Sequence, residues 1–242
     1  DALTAISNHI AMSIRSAKLR QDLSGSYLEA IASIVKSLEA RDPYTKGHSE
    51  RVATYSLAIA AELKDKSPYN QIMDFLVKVQ QAALLHDVGK IGIRDEILLK
   101  PDGLSPEEIE VIRQHPQIGE HILSGLKGIS HDVLYGIKYH HEKYDGSGVL
   151  ELKGEQIPPL ARILAVADTY DAMTTDRPYR KAFSDQEAVK EIVKNTYCSG
   201  PQWDPKVVEA LLESLKKGIF RKEAAITQEE IEQIKRELKV GP

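Results

Sequence analysis

Along almost the whole chain apolar residues recur at spacings of three and four, and almost nowhere do they alternate as a half-buried strand would require, so the fold class expected is all-α. Leu3, Ile6, Ile10, Ile14 and Ala17 form one stripe; Ser24-Gly25-Ser26 interrupts it, and Leu28, Ile31, Val35 and Leu38 resume it. This pattern predicts two amphipathic helices separated by a joint. Asp42-Pro43 ends the second, because a residue before proline avoids the helical region. Ser105, Ser184 and Thr227 each stand three residues before a glutamate, the capping-box spacing that opens a helix, and Pro106 adds proline at a first helical position. Breaks at Pro101-Asp102-Gly103, Gly125 to Gly128, Asp145 to Gly148, Lys153 to Pro159 and Ser199-Gly200-Pro201 leave segments of helix length between them. The expected architecture is a multi-helix bundle over residues 27–242, with residues 1–26 as a helical lead-in.

A chain of 242 residues, 42% of them hydrophobic, can bury a sizeable core, which excludes a disordered polypeptide. The formal charge of -4, with no Lys/Arg run longer than two, argues against a DNA or RNA polymer as partner. Cys198 stands alone; it forms no internal disulfide, points to a reducing, cytoplasmic compartment and excludes a cysteine-based zinc site. No apolar stretch approaches the ~18 residues of a membrane span, and no charged-then-apolar leader opens the chain. The first residue is Asp1 rather than methionine, so a longer parent protein is expected.

Chemistry shows where polar residues interrupt apolar runs. His86-Asp87 follows Ala82-Ala83-Leu84-Leu85, and Asp168 follows Ile163-Leu164-Ala165-Val166-Ala167, although burying such groups without partners is costly. His48, His115 and the pair His140-His141 stand at other breaks in the pattern. Imidazoles and carboxylates form the donor set that suits Fe, Mn, Ni or Zn, and neighbours such as His86 and Asp87 can bind one ion or bridge two. Taken singly, each has an ordinary reading as a hydrogen-bonded histidine or a capping aspartate.

Together they are distinctive. His86-Asp87-Val88-Gly89-Lys90 resembles the HD-x-G-K signature of the HD phosphohydrolases. Arg41 to Ser49 upstream, His140-His141-Glu142-Lys143-Tyr144-Asp145-Gly146-Ser147-Gly148 downstream and the stretch Ile163 to Arg180 narrow the resemblance to the HD-GYP family, over about residues 27–215. The lead-in resembles the last helix of a GAF sensor domain. The resemblance implies an all-α, metal-dependent cyclic di-GMP phosphodiesterase joined to a sensor domain, opening its substrate to the linear dinucleotide and onward to GMP with metal-activated water. It implies two divalent ions, most readily Fe or Mn and alternatively Ni or Zn. His48, His86, Asp87 and Asp168 would surround one; Asp87, His115, His140 and His141 would surround the other.

In the same reading Lys90 lies on the helical face of His86 and Asp87, within reach of a phosphate oxygen, and Arg177 and Arg180 form a cationic clamp. Asp171, one turn after Asp168, orients a ligand or accepts a proton. The stripe Leu3 to Ala17 offers a homodimer contact. Two positions depart from the family. Tyr44 stands where three-metal members carry a glutamate, and Gly148-Val149-Leu150 replaces Gly-Tyr-Pro in a loop one residue shorter. Val149 cannot stack on a guanine as tyrosine would, which weakens base recognition without touching the metals. Two alternatives stay open: hydrolysis of another cyclic or linear nucleotide, and a weakly active cyclic-dinucleotide sensor or interaction module.

Overall fold

The computed structural model describes residues 2–41, 46–100, 103–126, 128–176, 180–219 and 226–240. Its elements, among these residues, are helices: α1 (Ala2–Glu39), α2 (His48–Leu63), α3 (Phe75–Leu85), α4 (Asp95–Leu98), α5 (Pro106–Ile112), α6 (His115–Ser124), α7 (His131–Lys138), α8 (Pro159–Thr174), α9 (Asp185–Tyr197), α10 (Pro205–Lys216) and α11 (Gln228–Glu237), with short 3₁₀ turns between some of them. The all-α expectation holds. Each predicted capping box is formed: Ser105, Ser184 and Thr227 accept from the N–H of Glu108, Glu187 and Glu230, and those glutamates reach back to the cap N–H.

One expectation fails. The helix α1 runs unbroken through Ser24-Gly25-Ser26, so there is one long helix where two were predicted. A single glycine costs only about 1 kcal/mol relative to alanine inside a helix, too little to open a ladder that continues on both sides. Asp42-Pro43 lies outside the described residues.

Helix α2 packs on α3, α8 and α10, and α7 lies against α3, α6 and α8. The centre is filled by Val52, Ile59 and Leu63 of α2, Val79, Ala82 and Leu85 of α3, and Leu211 and Leu212 of α10, all essentially inaccessible. On α8, Leu160, Ile163, Leu164 and Ala167 follow the 3-4 spacing of one buried face. Asp171 continues that face, which carries a carboxylate into the interior at the end of the helix nearest His48.

Candidate metal centre

The helix ends converge on one polar cluster. His48 and His115 are the first residues of α2 and α6, His86 follows α3, His140 and His141 follow α7, and Asp87 opens the 3₁₀ turn Val88–Gly92. Asp168 projects from the middle of α8. Three imidazoles are aimed by one local device: Nδ1–H donates to the carbonyl three residues earlier, His86 to Ala83 at 2.7 Å, His115 to Ile112 at 2.8 Å and His140 to Ile137 at 2.6 Å. With the proton on Nδ1, each Nε2 presents a lone pair to the interior of the cluster. His48 is held differently, by Asp171 Oδ2 at 2.7 Å from Nδ1. Both Asp171 oxygens are in turn engaged by Arg51, through Nε at 2.6 Å and a terminal nitrogen at 3.0 Å.

The inward atoms form three overlapping groups whose ligand atoms lie within 4.8 Å of one another: His48, His86 and Asp168; His115, His140 and His141; and His86, Asp87 and His140. Asp87 stands between the first two. Its Oδ2 is 3.6 Å from Nε2 of both His48 and His86, and its Oδ1 is 3.2 Å from Nε2 of His115. Asp168 Oδ1 lies 3.4 Å from His48 Nε2. Lys90 Nζ sits 2.6 Å from Asp87 Oδ2.

Protein atoms alone leave this arrangement unsatisfied. Nε2 of His86 is fully buried without a hydrogen-bond partner, and Nε2 of His115 and His140 face each other at 3.3 Å although both carry lone pairs. A buried acceptor without a partner costs about 1–3 kcal/mol. Cations at these positions would turn each of those costs into an attraction, so the residues present fit divalent metal.

The electrostatics agree. Burial, followed by the neighbouring imidazoles, holds His140 well below the usual histidine range; burial lowers His86 despite Asp87. His141 is more exposed, but its ring lies 4.0 Å from that of His140, and the loss of solvation brings its pKa to about 4. Burial opposes ionisation of Asp87, yet Lys90, His86 and His115 outweigh it and keep the carboxyl well below its usual range; burial of Asp168 is likewise outweighed by His48, His86 and His141. For His48, burial is outweighed by Asp171, Asp168 and Asp87, and its pKa rises. The cluster thus consists mainly of neutral imidazoles and charged carboxylates, the protonation states in which both bind metal.

The sequence profile described as HD domain matches residues 33–207. The chain belongs to the HD-domain family. Among curated proteins, this HD domain is 41% identical over 204 residues to a cyclic di-GMP phosphodiesterase of Thermotoga maritima, covering 81% of the chain and 52% of that protein. It is 37% identical over 187 residues to the cyclic di-GMP phosphodiesterase response regulator RpfG of Xanthomonas campestris pv. campestris, covering 76% of the chain and 47% of that protein. A 3'3'-cGAMP-specific phosphodiesterase 3 of Vibrio cholerae is 34% identical over 214 residues, which cover 88% of the chain and 44% of that protein. The chain thus spans about half the length of the curated relatives it matches. Bd1817, an HDG"Y"P protein from Bdellovibrio bacteriovorus, shares the fold with a TM-score of 0.57 at 24% identity, over 81% of this chain and 62% of that one.

The HD signature has a steric reason as well as a chemical one. A Cβ at Gly89 would lie 1.9 Å from the His115 carbonyl oxygen and 2.5 Å from the Gly119 nitrogen, so only glycine lets the 3₁₀ turn bearing Asp87 dock against the start of α6 and bring His115 to Asp87. Of the cationic residues singled out, Lys90 faces the centre through Asp87, whereas Arg180 donates to the carbonyls of Ala172 and Met173 at the end of α8 and lies over the Phe183 ring, 4.2 Å from its centroid. Its guanidinium is committed to capping a helix. Arg177 and Tyr44 lie outside the described residues.

Sequence reasoning passed over three residues. Arg51 clamps Asp171. Glu142, buried beside the His140-His141 pair, accepts from the N–H of Leu150 at 2.7 Å and of Leu152 at 2.8 Å, tying down the loop where the family carries Gly-Tyr-Pro. Gly148 packs directly on it; a Cβ there would meet Glu142 Cα at 2.7 Å. Glu39 makes a similar pair of bonds around His48. The available signal was position: Glu39 is an acid in the last turn of a helix, where the macrodipole disfavours it.

Proposed function

We propose that this chain is the catalytic domain of a metal-dependent phosphodiesterase that hydrolyses cyclic di-GMP to the linear dinucleotide and onward to GMP. The observation that carries the reading is the Asp87 carboxylate, whose two oxygens face two separate sets of inward imidazoles while an ammonium, Lys90, lies beside it. His48, His86, Asp87 and Asp168 would hold one divalent ion, and Asp87, His115, His140 and His141 a second, with Fe or Mn the best match to this N/O set. When bound, such ions supply Lewis acidity that activates water and neutralises phosphodiester oxygens. The protein's own groups do the rest. Backbone carbonyls fix the imidazole tautomers, Asp171 with Arg51 fixes His48, and Lys90 offers positive charge to a phosphate oxygen. Asp171, with both oxygens occupied, orients rather than accepts a proton.

Val149 favours a second reading. A half-buried valine cannot stack on a guanine, and the relatives include proteins named for 3'3'-cGAMP, so a mixed cyclic dinucleotide is the rival substrate. Within the preferred reading the protein is cytoplasmic; among the described residues no helix is long and apolar enough to cross a membrane. The exposed side chains Ile6, Ile10 and Ile14 of α1 would pair with a second copy, below an upstream sensor domain. Anaerobic turnover of cyclic di-GMP, 3'3'-cGAMP and the linear dinucleotides is the test. Fastest hydrolysis of cyclic di-GMP supports the proposal, preference for 3'3'-cGAMP selects the rival, and no hydrolysis of either cyclic dinucleotide with metal bound overturns both.

A further inference from the structure

The end of helix α1 bonds the backbone on either side of His48 through Glu39. Its last residue, Glu39, is buried, and its Oε2 and Oε1 accept from the N–H groups of Gly47 and Ser49 at 2.7 and 2.8 Å. Those residues bracket His48. Gly47 stands at the N-cap of α2 with φ of 69° and no side chain to offer, so the first donors of α2 depend on a carboxylate from another helix. Negative charge at that N-terminus is also where the α2 macrodipole favours it, which offsets the unfavourable position of Glu39 at the end of α1. The carboxylate is therefore a two-point clamp on the backbone either side of His48, while Asp171 holds the far side of the ring. Among the described side chains of α1, burial is confined to this end: Val35, Leu38 and Glu39 pack into the body, whereas those between Ile6 and Leu19 are exposed.

We propose that Glu39 is a positioning residue that makes the seating of α1 a condition for metal binding at the group formed by His48, His86 and Asp168. The inference rests on the metal-centre reading above and extends it. Glu39→Gln keeps the size of the side chain but replaces one acceptor by a donor that faces an N–H, and Glu39→Ala removes both acceptors. Neither change touches a residue of the His115, His140 and His141 group.

The experiment is Co²⁺ titration of the metal-free full chain, followed by its visible absorption and by equilibrium stoichiometry, with His48→Ala marking the binding step that belongs to the His48 group. Loss of a group that orients a ligand typically costs 10–100-fold in metal affinity. Glu39→Gln is expected to weaken the His48 step by about tenfold and Glu39→Ala by more, while the other step stays within about twofold and unfolding remains cooperative. Faster amide exchange of Gly47 and Ser49 in the metal-free Glu39→Gln protein is the accompanying readout. Unchanged Co²⁺ binding in both variants overturns the proposal; so does equal weakening of both steps with a lowered Tm, which would make Glu39 a general stability residue. If His48→Ala leaves both steps intact, the metal-centre reading falls with it. A protein that binds Co²⁺ as expected but hydrolyses no cyclic dinucleotide loses only its proposed activity.

Discussion

Two of the polar clusters buried among the described residues are built in opposite ways. Between α8 and α10, Arg162 and Asp204 are almost inaccessible and form an ion pair at 2.9 Å, and protein groups bond the pair on further sides: Arg162 Nε donates to the Ile157 carbonyl at 2.8 Å, Tyr69 OH donates to Asp204 at 3.3 Å, and Asp204 caps α10 by accepting from the Lys206 N–H at 2.9 Å. In the candidate metal centre the outward nitrogens of His86, His115 and His140 are equally well bonded, but the inward Nε2 of His86 is left over and those of His115 and His140 face each other. Burial is costly for both clusters. The Arg162 cluster meets that cost with its own atoms and contributes only architecture; the His/Asp cluster leaves part of it for a ligand to remove. The unfinished hydrogen-bond pattern, rather than burial or charge, distinguishes the candidate binding site from the structural cluster.

The sharpest test of that contrast is Asp87→Ala. The variant removes the carboxylate whose two oxygens face the two imidazole sets, so turnover should fall below detection while circular dichroism and the metal-free Tm stay near wild type, because the partners of Asp87 are Lys90 and the cluster histidines rather than core side chains. Global unfolding of the variant would break the comparison, and retained turnover would sink the two-ion reading. Asp204→Ala is the mirror experiment. It strands Arg162 in the interior, which costs about 3–5 kcal/mol for a broken buried pair. For a chain of this size that is roughly 6–20 °C in Tm. Turnover per folded molecule should not change; lost activity at temperatures where the variant is folded would couple the two clusters.

The third prediction uses pH and metal removal together. His86, His140 and His141 have lowered pKa values, so between their folded values and the unfolded value near 6.5 the unfolded chain binds more protons than the native one. Stability of the metal-free protein should therefore fall as pH drops through about 6.5 and keep falling toward pH 4, where His141 itself titrates. His48, with its pKa raised, opposes this but is outnumbered. Tm against pH in chelator checks the sign, and metal should flatten the curve by binding only the native state. A flat curve without metal would mean that the imidazoles are solvated. Smaller still is the expected effect of Lys90→Ala. If its ammonium serves a phosphate oxygen as well as Asp87, the loss of a charged hydrogen bond, about 1.5–3 kcal/mol, should lower kcat/KM roughly ten- to a hundredfold with metal content unchanged. Loss of metal in this variant would assign Lys90 to assembly of the site. Lys90→Arg should rescue only in part, since a planar guanidinium puts its charge elsewhere.

How far these features were legible in the sequence depends on the range of the interaction behind each. The capping boxes at Ser105, Ser184 and Thr227 are decided within four residues, and they were readable. The residue types of the His/Asp cluster were readable because they interrupt apolar runs, and their order along the chain matches a family pattern. The joint expected at Ser24-Gly25-Ser26 was a misjudged magnitude: one glycine weakens a helix without ending it. Glu39, Glu142 and Arg51 escaped because two of them bond backbone N–H groups eight to ten residues away and the third reaches Asp171 across the fold, contacts that leave no signature in residue type. The Arg162–Asp204 pair, separated by 42 residues, was invisible for the same reason. Arg180 matched a motif, yet its guanidinium caps α8, a use that spacing alone does not distinguish from a clamp.

The smallest effect concerns the rim of the open cluster, where residue type and loop geometry pull apart. Val149→Tyr restores an aromatic face, and stacking on a base contributes about 1–3 kcal/mol where the geometry allows it. Here the geometry is restricted. Gly148 is pressed on the Glu142 backbone, and the N–H groups of Leu150 and Leu152 are both held by the Glu142 carboxylate, so the direction of residue 149 is set by the clamp and not by the substrate. A tyrosine entering a loop held in this way should gain only part of the stacking energy. The expected result is a KM for cyclic di-GMP lowered by at most about tenfold with a smaller change in kcat. Combining it with Glu142→Gln tests the clamp: if the loop then relaxes, the tyrosine should gain further affinity, whereas equal KM values in single and double variants would mean that Glu142 does not limit where residue 149 points. An unchanged KM in Val149→Tyr alone would mean that the base is held by groups outside this loop, and the stacking argument would fail for this protein.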